Sequence, residues 1–127
     1  MPYVPCKNGT LFIPSGPTGD HLFVIVTDKC PAGNHLLVNF CSIKPGIKHD
    51  DTCVLNVGDH PFIKHPTYMG YRMASIQSAD RLMRMVEGWV YRPGDPVSDG
   101  IVTKIRAGVM ASPFTPQFIL DYCADLP

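Results

Sequence analysis

Apolar residues along the chain come in short runs separated by turn-forming clusters, a pattern that predicts strands in the first half. Thr10-Leu11-Phe12-Ile13 is a brief strand stopped by the breaker cluster Pro14-Ser15-Gly16-Pro17-Thr18-Gly19. The run over 21–27, from His21 to Thr27, is continuously apolar at strand length, as in a strand buried on both faces. Pro31-Ala32-Gly33-Asn34 turns the chain into a third strand over 35–43. A loop follows over 44–51, and strands over 53–57 and 68–76 bring the total to about five. Pro61 and Pro66 interrupt the stretch between the last two, which reads as a loop or an irregular edge.

The pattern then changes to helical spacing. Ser78 is placed to cap a helix over 79–87 that Gly88 stops. Arg92-Pro93-Gly94-Asp95-Pro96 reads as a turn, and Ser98 as the cap of a helix over 99–110 with Ile101, Val102, Ile105 and Val109 on one stripe. Thr115-Pro116 looks like an N-cap followed by proline at the first helical position, with Phe118, Ile119, Tyr122 and Cys123 facing the core. Short strands without helical crossovers favour a small antiparallel barrel. The expected fold is mainly β with C-terminal helices, a single domain over 1–127 with the barrel at about 9–77 and the helical part at about 78–127.

Composition narrows the classes. At 127 residues, 45% hydrophobic and 17% charged, the chain has the makeup of one globular domain. No apolar stretch approaches the ~20 residues of a bilayer span, and the start of the chain resembles no secretory signal, so a cytoplasmic location with no membrane partner is expected. The five cysteines are widely spaced, odd in number and without a C-x-x-C pair, which argues against a zinc ribbon or redox dithiol. Eleven basic and eleven acidic residues cancel, so any nucleic-acid site must be a local patch.

Chemistry concentrates in Asp59-His60-Pro61-Phe62-Ile63-Lys64-His65-Pro66-Thr67-Tyr68-Met69-Gly70-Tyr71-Arg72, which holds two imidazoles, a threonine hydroxyl, two phenols and a guanidinium. Such groups move protons and hold phosphates without a cofactor. Each also has an ordinary structural reading. His60 and His65 precede prolines as turn residues do, and Arg72 on a strand suits a solvated cross-strand partner. Tyr68 and Tyr71 are three apart, so on a strand they face opposite sides. His49, Asp50, Asp51, Asp59, His60 and His65 could supply metal ligands, yet no pair has the spacing of a helical metal motif, and no metal or cofactor is expected. Cys41, in an apolar strand, is expected to have a raised pKa and little reactivity.

The whole arrangement resembles the MazF/PemK family of bacterial toxin endoribonucleases, which have an SH3-like barrel. Gly9 precedes the first strand as a family glycine does, and Ser15-Gly16-Pro17-Thr18-Gly19 matches the family's glycine-rich loop. The strand from His21 to Thr27 stands where the family has Arg-Pro followed by apolar residues. Leu37-Val38-Asn39-Phe40-Cys41-Ser42 ends in serine where the family has threonine, and Pro66-Thr67-Tyr68-Met69 stands at a later family strand. His21 therefore occupies the place of the family's catalytic arginine and Ser42 that of its catalytic threonine, while Arg72-Met73 replaces an Asp-Gln pair.

The resemblance implies a toxin of a type II toxin-antitoxin system that cleaves single-stranded RNA without a metal, as a homodimer held in check by an antitoxin protein. In such a reaction the 2′-hydroxyl is the nucleophile, and the protein must take its proton, protonate the leaving 5′-oxygen and stabilise the phosphate. The assignment is His21 or His65 as base and acid, Arg72 as charge stabiliser, and Ser42 and Thr67 as orienting donors. Tyr68 or Tyr71 would stack an unpaired base, and His60 would contribute to binding. The alternatives are a noncatalytic SH3-like barrel binding nucleic acid or a protein, and a toxin that inhibits a protein target.

Overall fold

Alternation along the strands sorts the side chains onto two apolar faces, and each face is covered by different helices. In the computed structural model, which describes residues 2–15 and 19–126, the strands are Thr10–Pro14 (β1), Asp20–Ile25 (β2), Asn34–Ser42 (β3), Val54–Leu55 (β4), Thr67–Ser78 (β5) and Arg92–Gly94 (β6). The helices are Ala79–Glu87 (α1), Asp99–Ala111 (α2) and Gln117–Ala124 (α3). The strands pair antiparallel in the order β4-β5-β3-β2-β1-β6, a six-stranded sheet curled into a half-barrel. Most of the glycine-rich loop expected over 15–19 lies outside the described residues.

One face carries Leu22, Val24, Val38, Phe40, Met69 and Tyr71, which pack with Val102, Ile105 and Val109 of α2 and Ile119 of α3. The other carries Leu11, Ile13, Phe23, Ile25 and Leu37 beneath Leu82 of α1 and Tyr91. β3 carries a register irregularity between Leu37 and Asn39, beyond which the row begun by Leu37 continues in the polar but buried Asn39 and the half-buried Cys41.

Two helices start where expected: Ser78 and Ser98 accept from the backbone N–H groups of Arg81 and Ile101. For α3 the cap position is Pro116 itself, with no side-chain cap bond, because the Thr115 hydroxyl donates instead to the Val109 carbonyl.

Two other expectations need correction. The segment read as a turn at Arg92-Pro93-Gly94 is an edge strand, because Thr10, Leu11 and Phe12 of β1 pair with Gly94, Pro93 and Arg92. An edge tolerates the proline, which lacks an N–H to donate. The strand expected over 53–57 is confined to Val54–Leu55, since the Asp59 carboxylate accepts from the Asn56 N–H and turns the chain there. Lys104 Nζ donates to the Val54 carbonyl and blunts that free edge.

Candidate functional site

The ends of β2, β3 and β5 border a cleft of about 520 Å³ whose lining includes His21, Ser42, Lys44, Lys48, His49 and Tyr68. Each strand delivers its residue by register. Cys41 and Ser42 pair with Tyr68 and Thr67 across β3 and β5, and Ile13 pairs with His21 across β1 and β2. The lysines and His49 come from the loop that follows β3. That loop is tied at its start by the Ile43 N–H to Pro66 carbonyl bond and at its end by Asp50, which accepts from the Ser112 and Thr52 hydroxyls.

Ser42, in the cleft lining, is hydrogen-bonded through Oγ to His65 Nε2 at 2.8 Å; both side chains are exposed, and His65 reaches the cleft only through this bond, since it is not itself a lining residue. The bond spans 23 residues of sequence and joins two groups proposed for the chemistry. Thr67 is 4% exposed, and its hydroxyl donates to the His65 carbonyl at 3.0 Å. Its contribution is thus to hold the His65 backbone, and of the two expected orienting hydroxyls only that of Ser42 is exposed. His21 lines the cleft and has a buried Nδ1 without a hydrogen-bond partner among the described residues. Beside it, Asp20 is paired with Arg92 at 3.0 Å.

A second hollow of about 460 Å³ adjoins the first, sharing Cys41, Lys48, His49 and Tyr68 with it. Arg72 lies there, its guanidinium 5.0 Å from the centre of the Phe114 ring, and so in the neighbouring half of the groove from Ser42. Tyr68 forms part of both halves, with its ring 5.3 Å from that of His49 at an interplanar angle of 32°. Burial pushes the Tyr68 hydroxyl up from its ordinary value, so it is a neutral donor and an aromatic wall. Burial also raises the Cys41 thiol, against the opposing hydrogen bonds from Tyr68 and Asn39, as its place in an apolar strand predicts.

Two residues assigned to binding belong to the scaffold. Tyr71 is fully buried and its hydroxyl donates to the Ile105 carbonyl at 2.8 Å, so it cannot stack a base. Burial drives its phenol far above the ordinary range. His60 is 5% exposed; its Nδ1 accepts from the Phe62 N–H at 3.1 Å, which leaves Nε2 as the donor to the Asp95 carbonyl at 2.7 Å. Both ring nitrogens are occupied, and the imidazole is a tie between two loops.

Lys44, Lys48 and His49 line the cleft although residue type alone did not single them out as binding residues. The signal for them was present in the chain: three groups able to carry positive charge within six positions of a neutral protein. Asp50 beside them is buried enough to raise its pKa, but hydrogen bonds from Ser112 and Thr52 outweigh this and hold its carboxyl below the usual range. Among the described residues, no group of three or more His, Cys, Asp or Glu side chains is arranged to hold a metal ion.

The groove thus combines imidazoles, a hydroxyl, cations and an aromatic wall, a set suited to an anionic ester with a flat substituent. No family model matches the chain, and no curated protein does either. Among the described residues, no helix is long and apolar enough to cross a membrane.

Proposed function

We propose that the chain is an endoribonuclease that cleaves single-stranded RNA without a metal ion, in the manner of the toxins it resembles. The observation that carries this reading is the Ser42–His65 hydrogen bond at the mouth of a cleft bordered by His21, Lys44 and Lys48.

In this reading His65 takes the proton of the 2′-hydroxyl as that oxygen attacks phosphorus, and His21 protonates the departing 5′-oxygen. The products are a 2′,3′-cyclic phosphate and a 5′-hydroxyl. Lys44 and Lys48 stabilise the phosphate, Ser42 orients it, and Tyr68 stacks one base. Arg72 acts on a neighbouring phosphate in the second hollow. The toxin role, the antitoxin and the homodimer rest on the resemblance; arrest of growth on expression, relieved by a co-expressed antitoxin, is their test. A groove that binds RNA without cutting it is the second reading, favoured by the packing of Arg72 on Phe114 away from Ser42.

The deciding experiment incubates the purified protein with a long single-stranded RNA in EDTA and maps the ends. Discrete cuts with cyclic phosphate termini, lost in His65→Ala and Ser42→Ala variants that remain folded, support the enzyme. Intact RNA from folded protein rejects it, and RNA retention without cuts selects the binding groove.

A further inference from the structure

Trp89, the chain's single tryptophan, is 86% exposed and sits in the left-handed backbone region at φ 63°. It follows the last turn of α1, where the Gly88 N–H donates to Arg84, the Trp89 N–H to Val86, and the Val90 and Tyr91 N–H groups both to Met85. Tyr91 is buried and pins this reversal to the core. The left-handed position is one that glycine takes without steric cost, yet Gly88 stands one residue earlier at φ −82°. A bulky side chain held in this conformation and left almost wholly exposed contributes little inside the fold.

The sheet connects this ring to the cleft. Arg92 pairs with Phe12, and Phe12 with Leu22, which lines the cleft. Adjacent strands lie about 4.8 Å apart, so this row of three is about 10 Å wide. Trp89 stands three residues before Arg92, at most about 11 Å along the chain. Arg92 itself lies over the Phe12 ring at 4.8 Å and pairs with Asp20, another lining residue. Arg81 and Arg84 are exposed on successive turns of α1, and neither is ion-paired among the described residues.

We propose that Trp89 is a stacking platform for an unpaired nucleobase, engaged by single-stranded RNA that leaves the cleft past Arg92, with Arg84 and Arg81 facing its backbone. The proposal rests on the reading of the cleft as an RNA site. A lone indole beside cations matches a planar ring attached to a phosphate chain. Val90 beside the ring is 45% exposed, but the patch is not a broad apolar face, because the exposed residues of α1 are Asp80, Arg81, Arg84 and Glu87.

The test uses 2′-O-methylated RNA, which cannot be cleaved, as a trinucleotide and as a dodecanucleotide. Tryptophan emission reports Trp89 alone, and the anisotropy of labelled RNA reports affinity. The dodecanucleotide should quench the emission, and Trp89→Ala should weaken its binding roughly tenfold while Trp89→Phe retains most of it. Trinucleotide affinity should be the same in all three proteins. Equal dodecanucleotide affinity in Trp89→Ala, or emission that RNA leaves unmoved, overturns the proposal. Emission that responds instead to protein concentration assigns the ring to a second copy, and emission that responds to anionic vesicles assigns it to a membrane; either result overturns it too. Quenching by RNA that the unmodified protein leaves uncut removes the nuclease reading and keeps the platform. Cleavage that needs His65 in a protein whose Trp89 is silent removes the platform alone.

Discussion

The phenol of Tyr71 rests directly on Gly108 of α2, where a Cβ would overlap its hydroxyl group. The absence of a side chain at 108 is what allows α2 to lie close enough for the Tyr71 hydroxyl to reach the Ile105 carbonyl. Gly108→Ala should therefore push α2 off the sheet and destabilise the fold by roughly 3 kcal/mol, read from urea unfolding. Tyr71→Phe keeps the ring and loses one hydrogen bond, so its cost should be about 1 kcal/mol. Equal stability of Gly108→Ala and the parent would contradict this packing.

His60 should behave as a structural residue. His60→Ala removes the bonds to Asp95 and Phe62 and leaves a void beside Phe40, whose ring centre is 5.8 Å away. A loss of about 2 kcal/mol is expected, with RNA affinity of the protein that remains folded unchanged. A large affinity loss at full stability would return His60 to the groove.

Asp50 gives the loop beside the cleft an acid sensitivity whose sign follows from its lowered pKa. The unfolded carboxyl binds its proton at a higher pH than the folded one does. The stabilisation is thus complete above the ordinary carboxylate value of 3.8 and is lost as pH falls through the lower folded value. Ser112→Ala, which removes one of the bonds holding the carboxylate, should cost about 1 kcal/mol near neutrality and flatten the decline in stability on acidification. Parallel stability curves for the two proteins as pH falls below 3.8 would reject the assignment.

The thiols should separate by rate. The Tyr122 hydroxyl and backbone N–H groups lower the Cys30 pKa, whereas burial raises those of Cys41, Cys53 and Cys123. Alkylation at neutral pH, followed by peptide mass spectrometry, should label Cys30 ahead of those three. Cys41 labelled first would mean that the groove opens further than the structure shows.

Trp89→Gly should leave stability unchanged or raise it by up to about 1 kcal/mol, because relief of the left-handed strain offsets the added freedom of the unfolded chain. A marked drop in melting temperature would show that the indole packs against the fold after all.

The strands of β1, β2, β3 and β5 were legible because alternation and breakers are local signals. β6 was not, since Arg92-Pro93-Gly94 has the composition of a turn and becomes a strand only by pairing with β1, which was made far earlier in the chain. The same limit applied to the site. Residue type pointed to His65, the family resemblance to Ser42, and period-two alternation separated Tyr68 from Tyr71, but nothing local says which face of β5 meets α2. That is decided by Gly108, from another element. Lys48 reaches both halves of the groove through a loop path held by Ser112, a tie between distant residues that no window of sequence contains. Trp89 was unreadable for a different cause, because its exposure depends on a positive φ.

The pairing of β1 with β6 also sets an order of events during synthesis. Until residues 92–94 have been made, Thr10, Leu11 and Phe12 form an unpaired edge on a nascent sheet, open to any other strand. Asn8 then fastens the join through its bonds to the Val97 carbonyl and the Asp99 carboxylate. A chain stopped before β6 should be the aggregating species, and the late segment works as the sheet's own gatekeeper.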